Sequence, residues 1–279
     1  MLKVLKSGFF VCIQDQGRYG YRDIGVPISG AMDLQSVKKA NLLLENPPQA
    51  SVLEITMTGP TLEFEEASYI CLSGAHMAAT LNNTALENHQ VVKVSPGDIL
   101  SYGRLWDGYR SYLAIKGGFQ SEVVMGSRSQ FHPVTPQKRL KDGDMVPYPK
   151  TLSYNPILSE IKIDDHFHKN YLEVHKGPEF SLLQDTQLAL LFTKTYTVSK
   201  ENNRMAYQLS EPLGTHTHSM LTSGTLPGTV QYTPAGRLII LMKDGQTTGG
   251  YPRILQLSAA SICTLAQKKL GDGLNFKLL

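Results

Sequence analysis

The 279-residue sequence predicts a mainly β protein made of two β-barrel domains, each with a flanking helix. Three observations carry that expectation. Short runs of alternating apolar residues, among them "VLEITMTG", "TLEFEEASYICLSG", "QVVKVSPGDILSYG" and "YRSYLAIKGG", are bounded by Gly, Pro or Asn, as strands joined by tight turns are. A stretch near the middle, "VPYPKTLSYNPILSE", carries prolines at 147, 149 and 156 among polar residues, the usual composition of an inter-domain linker. On either side of it the chain runs through strands, one capped helix and further strands. The expected domains are therefore residues 1–148 and 149–279.

The elements follow in order. "MLKVLKSGFFVCIQDQGRYG" reads as a first strand, because Lys6 and Gln14 interrupt its apolar run too soon for a secretory segment. No run of about 18 apolar residues occurs, so no membrane span is predicted and a cytoplasmic location is expected. Asp33 is placed to cap a helix over "LQSVKKANLLLEN", with Leu34, Val37, Asn41 and Leu44 on one face and Asn46-Pro47-Pro48 as its stop. Residues 50–118 read as a meander of hairpins, turning at Pro96-Gly97-Asp98 and Gly117-Gly118. A second helix is expected over "PEFSLLQDTQLALLFTK", with Pro178 in its first turn and Leu182, Thr186, Leu190 and Leu191 sharing a face. Leu238 to Met242 reads as a buried strand that delivers Lys243 and Asp244 to its end.

Composition narrows the function classes. With 41% hydrophobic and 18% charged residues the chain reads as an ordinary folded protein. Its 27 basic and 24 acidic residues leave a net charge of only +3 and form no basic run, so no nucleic-acid partner is expected. Cys12, Cys71 and Cys263 lie far apart among apolar neighbours and read as small buried hydrophobes. Trp106 reads as packing.

Three clusters could carry chemistry. "QDQGRYGYRDIGVPISGAMD", residues 14–33, gathers Asp15, Arg18, Arg22, Asp23, Ser29 and Asp33 with four glycines and has no regular period, which suits a ligand loop or a structured Arg-Asp network. "GSRSQFHP" sets Arg128 between Ser127 and Ser129, an arrangement that suits an anion clamp. "KDGQTTGGYP", residues 243–252, is longer than the two residues a hairpin turn needs, and its amides and hydroxyls suit an anion. No phosphate loop of the Gly-x-x-x-x-Gly-Lys-Ser/Thr form and no Gly-x-Ser-x-Gly elbow is present. Met242-Lys243 is followed by Asp244 where a biotin attachment site has methionine, so Lys243 is not expected to carry biotin. His166 with His168, and His216 with His218, stand two apart without a carboxylate or cysteine at ligand spacing. They read as exposed loop histidines, and no metal site is expected.

These motifs together resemble one family, the biotin-dependent carboxyltransferase-like or allophanate hydrolase subunit 2 proteins. The resemblance spans nearly the whole chain and rests on "QDQGRYGYRDIGVPISGAMD", "LEITMTGPTLEF", "GSRS", "RLKDGD", "NNRMAYQL", "PGTVQ" and "DGQTTGGYP" in the family's order. It implies two cyclophilin-like β-barrel domains whose loops face a shared cleft. Its bacterial members include the C-type component of 5-oxoprolinase, so it also implies A-type and B-type 5-oxoprolinase partners, with which the lactam of 5-oxoproline is cleaved to glutamate using ATP. Other members transfer a carboxyl group to urea, and some antagonise a sporulation-kinase inhibitor.

On the enzymatic reading, Arg18 and Arg128 bind the anionic part of a small amide or carboxylate substrate and Lys243 supplies electrostatic stabilisation. Asp15 and Asp244 orient those cations or act as bases. Ser29, Asp33, Arg204, Gln231, Thr247, Thr248, Gly249, Gly250 and Tyr251 complete the expected substrate site. The sequence departs from the family at Gln130-Phe131-His132-Pro133, at Thr222-Ser223-Gly224 and at Ala206 and Gln208, where a glycine-rich loop, a carboxylate and an arginine are usual. The competing readings are a regulatory protein that holds a B-type partner without turnover, and a carboxyltransferase or allophanate hydrolase-like component of urea metabolism.

Overall fold

The computed structural model describes residues 1–158, 161–162 and 166–279. They form two compact units, Met1–Tyr19 with Ser29–Asp164 and Gly20–Ile28 with Asp165–Leu279. The proline-bearing segment at 146–158 runs on within the first unit, and residues 159–160 of the expected linker lie outside the described residues. The Tyr154 ring explains why it stays there. Tyr154 packs edge-on to Tyr69 at 5.3 Å, lies under the Lys116 ammonium at 4.0 Å and donates its hydroxyl to the Leu43 carbonyl.

Unit 1 contains β1 (Leu2–Lys6), β2 (Phe10–Gln14), helix α1 (Leu34–Leu43), β3 (Val52–Thr56), β4 (Thr61–Phe64), β5 (Ser68–His76), β6 (Thr80–Leu81), β7 (Thr84–Ala85), β8 (Val91–Val94), β9 (Ile99–Ser101), β10 (Asp107–Ile115) and β11 (Met145–Val146). They pair into two sheets, β11-β1-β4-β9-β6-β7 and β2-β3-β10-β5-β8. Period-two alternation explains the layering. Val11, Ile13, Leu53, Ile55, Leu113 and Ile115 face a core shared with Leu2, Val4, Leu62 and Phe64 of the other sheet. The opposite face of the second sheet carries Cys71, Tyr112 and Ala114 against Val37, Ala40 and Leu43 of α1. That helix starts where the sequence places it, because Asp33 accepts from the amides of Gln35 and Ser36, both at 3.1 Å.

Unit 2 contains β12 (Tyr171–Lys176), α2 (Asp185–Thr193), β13 (Tyr196–Asn202), β14 (Ala206–Leu209), β15 (Ser223–Gly224), β16 (Thr229–Tyr232), β17 (Leu238–Leu241), β18 (Thr248–Gly249), β19 (Arg253–Leu257), α3 (Ala259–Ala266) and β20 (Gly273–Leu278). Seven of the strands close a barrel in the order β12-β19-β16-β17-β14-β13-β20. Each supplies two buried residues at i and i+2: Leu172 and Val174, Tyr196 and Val198, Tyr207 and Leu209, Val230 and Tyr232, Leu238 and Ile240, Leu255 and Leu257, Leu274 and Phe276. Every strand is thus apolar towards one side, as closure requires.

Several local expectations need correction. The second helix is not continuous from Pro178, because Leu183 is extended and α2 begins only at Asp185, after a separate short turn at Phe180–Leu182. The restart shifts the helical phase, so Leu191 is buried while Leu190 is 46% exposed. The second half also carries a further helix, α3, capped by Ser258 on the amide of Ser261, so it does not hold a single helix. Trp106 does not pack in a core; it is 70% exposed. His166, expected in an exposed loop, is buried with its ring against Phe167 at 4.6 Å.

Candidate functional site

In unit 1 the "GSRS" turn is built around one carboxylate. Asp15 Oδ1 accepts from the Ser127 and Ser129 hydroxyls, both at 2.6 Å, and from the Gly17 amide at 2.8 Å, while Oδ2 accepts from the Arg128 amide at 2.6 Å. Arg18, also buried, donates through Nη2 to the Ser129 carbonyl at 2.6 Å. The four bonds to Asp15 are charge-assisted and fix the loop's backbone. Arg128 is left half-buried, and its guanidinium makes no hydrogen bond or ion pair among the described residues, so it stands as an available cation on a rigid turn. The departure at Gln130 has a structural use: its amide and side-chain oxygen pair with the carbonyl and amide of Ile13 along the free edge of β2.

Beneath the 29–33 segment lies a buried polar cluster that the sequence did not single out. Glu54, fully buried, accepts from the Met32 amide at 2.7 Å and the Tyr112 hydroxyl at 3.0 Å, and faces the buried Arg110 at 3.8 Å. Tyr112 in turn accepts from the Asp33 amide at 2.8 Å. Asp33 commits its carboxylate to the helix cap and to the Ser36 hydroxyl at 2.6 Å. Ser29 is buried at φ 56. A side chain at Gly30, φ 83, would meet the Gln16 backbone at 2.8 Å, so only glycine fits that approach. Such a cluster is visible only when strands β3 and β10 are side by side.

In unit 2 the 243–252 loop is pinned on both flanks. Asp244 and Arg204, both nearly buried, form a two-pronged ion pair at 2.7 and 3.0 Å, and the Asp244 amide returns to the Arg204 carbonyl. The two-stranded ladder of β15 and β18 pairs Ser223 with Gly249 and Gly224 with Thr248. Thr225 adds a bond from its hydroxyl to the Gln246 carbonyl at 2.6 Å. Under this ladder lies Gln231, buried, whose side-chain nitrogen would be 2.3 Å from any Cβ at position 249 and has no hydrogen-bond partner among the described residues. Lys243 is half-buried in the turn before the loop, whereas Gly250 and Tyr251 are exposed.

An open pocket of about 670 Å³ is lined by Thr247 and Thr248 of this loop, by Gly224, Thr225 and Leu226, and by Arg22, Asp23 and Gly25. Arg22 donates through Nη2 to the Thr225 carbonyl, and its Nη1 is buried without a hydrogen-bond partner among the described residues. Burial lowers the guanidinium's pKa. A partly buried, half-satisfied guanidinium favours an anionic partner. Arg22 lies in the first cluster noted in the sequence, but only folding carries residues 20–28 into unit 2.

With this geometry in place, comparison with known proteins identifies the kinship. A sequence profile of the carboxyltransferase domain, subdomain A and B, matches residues 24–278. The chain belongs to the carboxyltransferase-domain family. It is 35% identical to the C-type component of the Escherichia coli 5-oxoprolinase over 99% of this chain and 90% of that protein, and 29% identical to its Haemophilus influenzae counterpart over 99% and 91%. Among solved structures, TTHA0988 superposes with a TM-score of 0.90 at 24% identity, a likeness of fold; it covers 99% of this chain, which spans 56% of that one. The urea amidolyase of K. lactis superposes at 0.88 with 27% identity, covering 100% of this chain and 18% of that one.

Among the sequence-predicted residues, Thr247 and Thr248 line the unit 2 pocket, with Gly249 in the adjoining ladder and Gln231 beneath it. Asp244 and Arg204 brace the loop through each other rather than pointing two separate charges at a ligand. Asp15, Arg18 and Arg128 gather in unit 1, with Asp15 committed to the turn. Among the described residues no group of three or more His, Cys, Asp or Glu could hold a metal.

Proposed function

We propose that the chain is the C-type component of an ATP-dependent 5-oxoprolinase, working with A-type and B-type partners in the cytoplasm to hydrolyse the lactam of 5-oxoproline to L-glutamate. The observation that carries this reading is the Arg22 guanidinium, partly unsatisfied in a pocket it shares with Thr247 and Thr248. Similarity over nearly the whole chain to two C-type components of 5-oxoprolinases supports it.

A lactam amide is poorly electrophilic; transfer of the γ-phosphoryl group of ATP to its oxygen, releasing ADP, activates the carbon, water adds there, the C–N bond opens to an amine and an acyl phosphate, and a second water releases phosphate and L-glutamate, so ATP use is chemically reasonable. One guanidinium beside Asp23 is too little cationic charge for a triphosphate, so nucleotide binding is assigned to the partner proteins. Arg22 and the threonine hydroxyls bind the substrate carboxylate, and Lys243 steadies the negative charge carried by the phosphorylated lactam oxygen. Asp244 holds Arg204 and thereby the loop's shape.

The test is ATP-dependent glutamate formation by the three proteins together. Arg22→Ala is expected to raise the KM for 5-oxoproline by roughly tenfold to a hundredfold, the loss of a charged hydrogen bond. Lys243→Ala is expected to lower kcat about a hundredfold or more. Undiminished glutamate formation with Lys243→Ala ends its assigned role. A complex that turns over urea or allophanate instead moves the assignment to the urea branch of the family, where the urea amidolyase of Saccharomyces cerevisiae is 28% identical over 99% of this chain. Co-purification with the B-type partner without turnover of any of these supports the regulatory reading.

A further inference from the structure

Unit 1 contains a smaller and more enclosed cavity that the proposed reaction does not use. It has a volume of about 150 Å³ and is walled by Leu72, Met77, Ala79 and Leu86, with Tyr102 and Trp106 among its remaining lining residues. A void of this size accommodates a single six-membered ring.

The cavity lies beside an irregularity in strand pairing. Between Asp107↔His76 and Ser111↔Gly74 the β5–β10 register shifts, which leaves the end of β5 and the start of β10 splayed. Gly74 makes the bend possible: at φ 79, a side chain there would meet the Arg110 carbonyl at 2.4 Å. The walls are nevertheless fixed. The Gly103 amide donates to the Met77 carbonyl at 2.9 Å, Trp106 to His76 at 2.8 Å, and Leu86 to Ala79 at 2.9 Å. Tyr102 packs against Gly59, where a Cβ would come within 2.3 Å of it. A preformed, backbone-held pocket is the usual character of a small-molecule site.

Two of its polar side chains are paired within the fold. The Asn88 amide donates to the Gly74 carbonyl at 2.8 Å and the Ser111 hydroxyl to Ser73 at 3.3 Å. The Tyr102 hydroxyl is buried and has no hydrogen-bond partner among the described residues. Burial also pushes its pKa far up, so it stays a neutral donor. A buried hydroxyl left unpaired costs free energy that an acceptor recovers. Trp106, meanwhile, exposes 70% of its surface among the lining residues, an unusual position for so large an apolar ring. Glu87, also exposed in the lining, disfavours an anion.

We infer that this cavity binds a small neutral ring compound bearing a hydrogen-bond acceptor, which takes the Tyr102 hydroxyl's hydrogen while Trp106 covers the ring. The lining lies wholly in unit 1 and includes none of Arg22, Lys243 or Thr247, so the proposal stands whether or not the 5-oxoprolinase reading does.

The chain has one tryptophan, so its fluorescence reports this cavity alone. Titration of the full chain with 2-pyrrolidinone, a neutral ring with one carbonyl acceptor, is expected to shift the emission to the blue and saturate, with a dissociation constant on the order of 1–10 mM. Acyclic N-methylacetamide is the control and should give no saturable shift. Tyr102→Phe keeps the ring and removes the hydroxyl. It should weaken 2-pyrrolidinone roughly fivefold to tenfold and, without ligand, raise Tm by about 2–4 °C because the unpaired group is gone. Absence of a saturable shift overturns the proposal, as does an equal shift in Tyr102→Phe. A lowered Tm for the unliganded variant overturns it too, because the hydroxyl would then have a partner of its own.

Discussion

His89 shows how far a single residue's surroundings alter its chemistry. Its ring lies 3.1 Å from the Ser73 hydroxyl, and its pKa is pushed down to about 4 from the ordinary 6.5, first by burial and then by the nearby charges of Lys39 and His76. The unfolded chain therefore takes up a proton near pH 6.5 that the folded chain refuses until about pH 4. Stability contributed by neutral His89 is fully present above about pH 6.5 and is lost progressively as pH falls through that interval. Melting temperatures across pH 7 to 4 should drop more steeply for the natural chain than for His89→Gln, which cannot titrate. Parallel curves would remove His89 as the cause. The same scale explains Asp15, whose carboxylate is surrounded by four donors and so serves the turn that presents Arg128.

At the level of elements, α1 depends on its first turn. Asp33 accepts two amides and one hydroxyl, and its own amide is held by Tyr112, which ties the helix start to the buried Glu54. Asp33→Ala should cost about 1–2 kcal/mol, read as a lower urea midpoint with an unchanged slope. Its position was legible because Asp followed by an apolar helical period and closed by Asn-Pro-Pro is a local signal. The division of the second helix is not legible, for the opposite reason. "PEFSLLQDTQLALLFTK" is helix-compatible throughout, and the extended Leu183 that divides it leaves no composition signature. α3 is hard to see in the sequence because it spans only eight residues, Ala259–Ala266, and Ser261 to Ala266 are all buried, so no polar face marks it as a helix.

At the scale of the whole molecule, the chain leaves unit 1 after Tyr19, contributes residues 20–28 to unit 2 and returns at Ser29. The pocket of unit 2 is therefore discontinuous in sequence: Arg22 and Asp23 come from one end of the chain, and Thr225, Thr247 and Thr248 from the other. A fragment of residues 166–279 lacks Arg22 and its bond to Thr225. Its 222–226 and 247–250 segments should be cut by protease faster than in the full chain, and equal cleavage rates would show that Arg22 does not brace them. Loops reached this way carry function while the barrel behind them carries stability.

By itself the sequence determined the class of fold and the family, because strand periodicity, turn residues and the ordered motifs are local properties of neighbouring positions. It also marked the "KDGQTTGGYP" loop as too long for a turn, and two of its threonines line a pocket. Only the tertiary structure decided which charges are available. Asp244 and Arg204 neutralise each other across 40 positions, Asp15 is absorbed by a turn 112 positions away, and Arg22 reaches a carbonyl 203 positions away with one nitrogen still unpaired among the described residues. The physical reason is that a charge's reactivity depends on its burial and its partners, and those are set by contacts between distant strands and loops.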